Sequence, residues 1–217
     1  MKALYRIILT ALILSLSIHT LTPLQAMAGE DGLYPAAPPA GSAFIRFING
    51  DLAAKTVTQI HGKIMRPALL GDIGNYFPVP QGFIDLAIGT AKTSATLKTD
   101  RHYSAVLSKG VLHVLEEPSY DTKMKSQILL INLGDAQNIT LKTPNNGVTV
   151  IDSTTSGTLN ARAVNAVKIG FSVFSDGKKI ADLPPRPLER GASYVVIIYK
   201  GTDGKPAITY EKATISS

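Results

Sequence analysis

Beyond residue 28 the chain carries three histidines, His61, His102 and His113, and it has no cysteine at all. Disulfides, thiolate metal ligands and cysteine nucleophiles are therefore excluded together. The imidazoles do not recur at the spacing that sets two ligands on one helix face, so no metal motif emerges and no cofactor is expected. His113 falls within a strand pattern, where a buried or edge-strand imidazole is expected rather than a ligand. Asp100-Arg101-His102 places a carboxylate beside an imidazole. Acyl transfer through such a pair would also require an activated serine, and the G-x-S-x-G elbow is absent. Neither a P-loop nor a G-x-G-x-x-G occurs, so nucleotide binding lacks support. No catalytic residue is assigned.

The remaining chemistry is that of surfaces. Carbohydrate sites use aromatic platforms beside polar groups. Tryptophan is absent, and Tyr34, Tyr76, Phe77 and Tyr120 are the loop aromatics available, equally suited to pinning loops. The formal charge is +6. Without Lys2 and Arg6 of the leader, the stretch ending at Glu117 holds eight basic and eight acidic residues, and the remainder twelve against eight. The excess charge thus lies after Glu117, where Arg186 and Arg190 flank a proline-stiffened connection, Pro184-Pro185-Arg186-Pro187. Guanidinium groups bind carboxylates bidentately, so Arg186 and Arg190 are the candidate contacts to an acidic partner or an anionic polysaccharide. Tyr34, near the start of the processed chain, is a third candidate contact. No dense basic cluster calls for nucleic acid.

The elements that must position these residues begin with an export signal. Lys2 and Arg6 precede an apolar run from Ile7 to Ile18, and Ala26-Met27-Ala28 forms a small-x-small cleavage site,. Residues 1–28 read as a signal peptide, too short in its apolar run to span a bilayer. The processed protein is expected in the periplasm, with no membrane span. Residues 29–41 read as an extended arm, since Pro35, Pro38 and Pro39 forbid regular structure and Leu33-Tyr34 can pin the arm to a surface.

Beyond the arm, β-forming runs alternate with Gly, Pro, Asn and Asp, and no window has a helical period. Strands are expected at Ala43–Asn49, Thr56–Ile60, Gly82–Ile88, Ala95–Lys98, His102–Leu107 and Val111–Leu115. A second set is expected at Ile128–Asn132, Ile139–Thr143, Val148–Ile151, Val167–Phe174, Tyr194–Tyr199 and Ala207–Tyr210. Between the sets, Glu116-Glu117-Pro118-Ser119 reads as a linker. Each set opens with a strand ending in Asn, at Asn49 and Asn132, and each has a late strand running from Tyr to Lys-Gly, at Tyr103 and Tyr194. The separations, 83 and 91 residues, suit a duplicated sandwich rather than a solenoid unit. The expectation is an all-β protein with two tandem Ig-like β-sandwich domains, 42–117 and 118–217, meeting near Glu117–Lys125.

The chain resembles the AlgF family, periplasmic accessory proteins of bacterial alginate O-acetylation. The resemblance runs through Leu33-Tyr34, Gly41-Ser42-Ala43-Phe44 with Arg46 and Asn49, then Phe77, Pro80 and Gly82, His102-Tyr103 and Leu115-Glu116-Glu117-Pro118. It continues at Asn132-Leu133, Asn165 with Val167, Phe174 with Asp176-Gly177, Leu183 with Pro185, and Leu188 with Arg190-Gly191. The loops near Thr90 and Ser153 and the tail Ile208-Thr209-Tyr210-Glu211 depart from the family pattern. The resemblance implies a non-catalytic adaptor that works with periplasmic acetyltransferase enzymes and a membrane-bound O-acyltransferase on an exopolysaccharide, alginate foremost and cellulose among the related polymers. An acetyl carrier or transferase subunit of the same system, or an unrelated polysaccharide-binding β module, are the other readings. The adaptor reading implies that alanine at Ser42, His61, His102 or His113 leaves acetylation near normal.

Overall fold

The period-two alternation of the sequence becomes strands throughout the described residues. The computed structural model describes residues 37–51, 55–120, 123–145 and 147–216. The expected signal peptide and most of the arm, with Tyr34, lie outside them. The first half holds β1 (Ser42–Asn49), β2 (Thr58–Ile60), β3 (Lys63–Ile64), β4 (Phe77–Pro80), β5 (Gly82–Ile88), β6 (Ala91–Leu97), β7 (His102–Ser108) and β8 (Val111–Glu116). The second holds β9 (Lys125–Asn132), β10 (Ile139–Lys142), β11 (Thr149–Thr154), β12 (Leu159–Asn165), β13 (Lys168–Ser175), β14 (Lys178–Pro187), β15 (Ser193–Lys200) and β16 (Pro206–Lys212). Among the described residues there is no helix.

Each half has an inner and an outer four-stranded sheet. The inner sheets run β4-β1-β7-β8 and β12-β9-β15-β16, the outer sheets β3-β2-β5-β6 and β11-β10-β13-β14. Every strand of the second half thus takes the place of the strand eight earlier. In both halves the first strand pairs in parallel with the seventh, with Ile45 opposite Tyr103 and Ile128 opposite Tyr194. All other ladders are antiparallel. The two tyrosines also do the same work. Lys98 N–H donates to the Tyr103 hydroxyl at 3.1 Å and Glu189 N–H to the Tyr194 hydroxyl at 3.0 Å, each from five residues upstream. The strand-ending asparagines match as well. The Asn49 side-chain oxygen accepts from Asp51 N–H at 3.2 Å and that of Asn132 from Gly134 N–H at 3.1 Å, both asparagines being wholly buried. The repeat read from these four residues is a repeat of the fold.

Two cores fill the sandwiches. Ala43, Ile45, Phe47, Tyr103, Ala105 and Leu107 face the first outer sheet. Ile128, Leu130, Tyr194, Val196 and Ile198 face the second. A third cluster joins Ile48 and Val106 of the first half to Leu129, Ile131, Leu133, Val195 and Ile197 of the second. The inner sheets therefore pack back to back and are covered on both faces. That is why β9 and β15 are continuous apolar runs instead of alternating ones. Each fully buried Ile or Leu contributes about 1.5–3 kcal/mol. The described residues form one compact unit. The joint is tight at Gly50, where a Cβ would lie 2.6 Å from the Leu133 side chain, its own counterpart in the repeat.

Five strands are absent from the sequence expectation or displaced from it, the two-residue β3 because it is too short to leave a pattern and the others for the following reasons. β14 contains Pro184, Pro185 and Pro187, expected as an irregular connection. It is an edge strand, and Pro184 and Pro185 fall in the register shift of its ladder to β13, between Leu183 and Arg186,. β4, with Pro78 and Pro80, is an edge strand by the same rule. β12 is half-exposed along its length and too polar to stand out. β6 spans Ala91–Leu97, earlier than its expected Ala95–Lys98. The Asp176-Gly177 hairpin turn forms as expected, with φ of 46° and 83°,.

Candidate functional site

The inner sheet of the first half carries a buried ion pair, Arg46 and Glu117, into the joint. Arg46 sits between Ile45 and Phe47 on β1, and strand alternation turns it away from the sandwich core toward the second half. It is wholly buried. Its Nη2 donates to Glu117 Oε1 at 2.8 Å and its Nε to Ser104 Oγ at 2.8 Å. Ser104 lies directly opposite Arg46 on β7, and its hydroxyl donates to the same Glu117 oxygen at 2.7 Å. Glu117 extends β8 by one residue, its N–H donating to His102 C=O at 2.9 Å. The remaining oxygen, Oε2, accepts from the Tyr76 hydroxyl at 2.5 Å. Both carboxylate oxygens are thus satisfied, which a buried carboxylate requires.

Aromatic rings close the cluster. The Arg46 guanidinium lies 4.5 Å from the Tyr76 ring centroid, a cation–π contact,. His102 stacks on Phe44 at 4.8 Å and 12°, and meets the Tyr76 ring edge-on at 4.8 Å and 82°. Burial pushes the His102 imidazole below its ordinary value, with Arg46 adding to the shift while Glu117 and Asp100 oppose it,. Burial also holds the Tyr76 phenol well above its ordinary value. Arg46 works against that shift, and Glu117 adds to it by charge and by accepting the hydroxyl's hydrogen bond. At neutral pH the imidazole is neutral and the phenol is a proton donor.

Tyr76 is held from the second half. Its N–H donates to Thr214 C=O at 2.8 Å, and Ser216 N–H returns to Tyr76 C=O at 2.8 Å. The Thr214 hydroxyl donates to the Asn75 side-chain oxygen at 2.7 Å. The C-terminal segment thereby clasps the first half. Above the cluster opens a cleft of about 640 Å³ with Tyr76, His102 and Glu117 at its wall, Arg101 on the first-half rim, and Arg190 and Lys212 on the second-half rim.

The expected site residues separate in the fold. Arg190 lines this cleft. Arg186 does not: its guanidinium lies 4.3 Å from the centroid of Tyr210, bridging edge strands β14 and β16 at the open side of the second sandwich. Tyr34 lies outside the described residues. Tyr76, expected as a loop aromatic, is 4% exposed, and Phe77 opens β4. Glu117, expected in a solvated linker, is also 4% exposed, at the centre of the joint. Its partner Arg46 is 71 residues away, beyond any local sequence pattern. The signal available was a lone arginine inside a strand otherwise apolar on both faces.

The other candidates stand apart. His113 is exposed on edge strand β8. His61 Nδ1 lies 3.7 Å from Asp85 on the surface. Ser42 donates to Pro39 C=O at 2.7 Å. Among the described residues no three of His, Asp and Glu gather as metal ligands. Ser104 is sealed from solvent, and its proton points at a carboxylate already bound to arginine. This geometry fixes backbone and charge; it does not activate a hydroxyl.

The family model described as alginate O-acetyl transferase AlgF matches residues 13–195. The chain belongs to the AlgF family. The alginate biosynthesis protein AlgF of Pseudomonas syringae pv. tomato is 31% identical over 179 residues, covering 82% of this chain and 80% of the relative. That of Azotobacter vinelandii is 32% identical over 181 residues, covering 82% and 80%. Among solved structures, the C-terminal domain of AlgF from Pseudomonas aeruginosa is 30% identical, with a TM-score of 0.38 over 42% of this chain and 99% of that one. Arg46, Tyr76, Ser104 and Glu117 all fall in the stretch matched by the AlgF model, whereas the clasp at Thr214–Ser216 lies beyond it. No helix among the described residues is long and apolar enough to cross a membrane.

Proposed function

We propose that this protein is a non-catalytic adaptor for O-acetylation of an exopolysaccharide, alginate foremost, acting in the periplasm. Membership of the AlgF family carries the reading, because the relatives are alginate biosynthesis proteins and the family model is described as an O-acetyl transferase. The chemistry of the joint supports the adaptor role within that pathway. The Glu117 carboxylate is satisfied by Arg46, Ser104 and Tyr76, and no hydroxyl of the cluster is activated by a base,. The partners are the periplasmic acetyltransferase enzymes and the membrane-bound O-acyltransferase of the pathway. Arg190, on the cleft rim, is the guanidinium best placed for a partner's carboxylate. Arg186 contributes beside it only if it leaves the Tyr210 ring, and Tyr34 extends the contact through the arm.

The test is reconstitution. In a host lacking its own AlgF-family gene but keeping the other acetylation genes, this gene is expected to restore acetyl groups to the polymer. The purified protein given an acetyl donor and the polymer is expected to transfer none. Acetyl transfer by the protein alone, or an acetyl group trapped on it, overturns the adaptor role in favour of a transferase or carrier.

A further inference from the structure

The duplication allows each residue of the joint to be compared with its counterpart. The register of β1 against β7 equals that of β9 against β15, so Arg46 corresponds to Leu129 and Ser104 to Val195. Glu117 corresponds to Ala213, because Glu117 N–H donates to His102 C=O as Ala213 N–H donates to Ser193 C=O, both at 2.9 Å. The three positions that are Arg, Ser and Glu in the first half are thus Leu, Val and Ala in the second. The same fold tolerates apolar residues at all three positions: Leu129 and Val195 are fully buried in the second half's back, which is polar only toward Gln127 and Ser193 at its end.

An apolar replacement for a buried ion pair is commonly neutral or stabilising, so stability alone does not account for Arg46 and Glu117. What the polar set adds is a condition. Glu117 needs Tyr76 for its second oxygen, and the backbone of Tyr76 is fixed by Thr214 and Ser216 of the second half. The cluster is complete only when the first half's back meets the second half with the C-terminal clasp seated. Two apolar backs carry no such condition: the Leu129-Ile131-Val195-Ile197 surface would accept the same surface of another copy.

We infer that the Arg46–Ser104–Glu117–Tyr76 cluster is a pairing device, which selects the first half of the chain as the partner of the second half's inner sheet and disfavours pairing between copies. A polar group at one buried position sets register and partner choice in the same way in coiled coils.

The experiment gives the first half the second half's residues, as the triple variant Arg46→Leu, Ser104→Val, Glu117→Ala. It is expected to fold with a denaturation midpoint at or above that of the parent, yet to populate dimers and larger species in light scattering at concentrations where the parent is monomeric. Isotope-labelled and unlabelled copies refolded together are expected to form mixed species. A triple variant that stays wholly monomeric overturns the inference, as does one that does not fold, since the counterpart residues would then not substitute. Glu117→Gln, which keeps the shape and removes the charge, provides the second reading. Amide exchange at Tyr76 and Ser216 is expected to speed up by on the order of a hundredfold, as a buried arginine loses its counter-ion. Unchanged exchange at both amides overturns the inference as well.

Discussion

The two halves share eight strands in one order, a parallel pair in one register, a tyrosine receiving an N–H from five residues back, and a buried asparagine at the end of the first strand. They differ where they touch. The first half presents Arg46, Ser104 and Glu117 beside Ile48 and Val106, the second an unbroken Leu129-Ile131-Val195-Ile197 surface. The backbone needs a strand that is satisfied on both faces, and either chemistry provides it. Only the first half's version buries an ion pair whose carboxylate is completed by a tyrosine that the other half holds. Duplication conserved the scaffold, and the divergent positions are those that decide what it packs against.

The sharpest way to break the comparison is to exchange one residue at a time. Leu129→Arg places a guanidinium in the joint where no carboxylate answers it, and is expected to prevent folding. Arg46→Leu leaves Glu117 buried without its cation and is expected to cost roughly 3–5 kcal/mol in denaturant unfolding. The two halves would prove equivalent, and the comparison empty, if Leu129→Arg unfolded at the same denaturant concentration as the parent.

Tyr76 tests the cluster from its aromatic side. Its hydroxyl donates to an ionised, buried acceptor, so Tyr76→Phe is expected to destabilise by about 1.5–3 kcal/mol. The same bond predicts an alkaline limit. Burial first, and then Glu117, raise the Tyr76 phenol well above 10.0 despite Arg46. Burial raises Tyr210 to about 12, with Arg186 opposing and Tyr194 assisting. Unfolded tyrosine loses its proton near 10, so both phenols stabilise the fold fully below that pH. Their contribution falls as pH rises, and that of Tyr210 is gone beyond about 12. Phenolate absorbance followed alongside unfolding is expected to show stability declining from about pH 10. Tyr76→Phe should flatten the decline, and a profile identical to the parent's would remove Tyr76 from the account.

The corner tyrosines sharpen the likeness instead of the difference. Tyr103→Phe and Tyr194→Phe each remove the acceptor of one part-buried backbone N–H, at Lys98 and Glu189, and each is expected to cost about 0.5–1.5 kcal/mol,. Tyr194 also donates to Pro187 C=O at 3.2 Å, so its loss should be the larger of the two. A cost at one tyrosine and none at the other would contradict their equivalence.

These same residues show what the sequence made legible. Tyr103, Tyr194, Asn49 and Asn132 announced the repeat because each acts within its own strand and the adjoining loop, so local spacing preserves their pattern. The all-β architecture was legible for the same reason. Glu117 was not, since beside Glu116, Pro118 and Ser119 it has the composition of a linker, and only Arg46, far away in the chain, makes it a core residue. Prolines hid β4 and β14, because a proline excludes a central strand but not an edge. Arg186 and Arg190 were joined by proximity in sequence, yet β14 ends between them and sends one to the open side of the sandwich and the other to the cleft.

That separation gives the smallest effect and the last test. Arg186 covers the Tyr210 ring, and a partly exposed cation–π contact is worth about 0.5–1 kcal/mol. Arg186→Ala is therefore expected to lower stability by that amount in denaturant unfolding,. Part of the loss is packing of the aliphatic stem, so Arg186→Lys, which keeps a cation but not the planar guanidinium, should fall between alanine and the parent. Arg190 has only the cleft before it. Arg190→Ala should leave the denaturation curve unchanged while weakening capture of the acetylation enzymes at low salt. That weakening should vanish near 1 M salt, where the screening length is about 3 Å. If Arg186→Ala weakens capture and Arg190→Ala does not, the contact surface lies on the open side of the second sandwich and the cleft loses its assigned role.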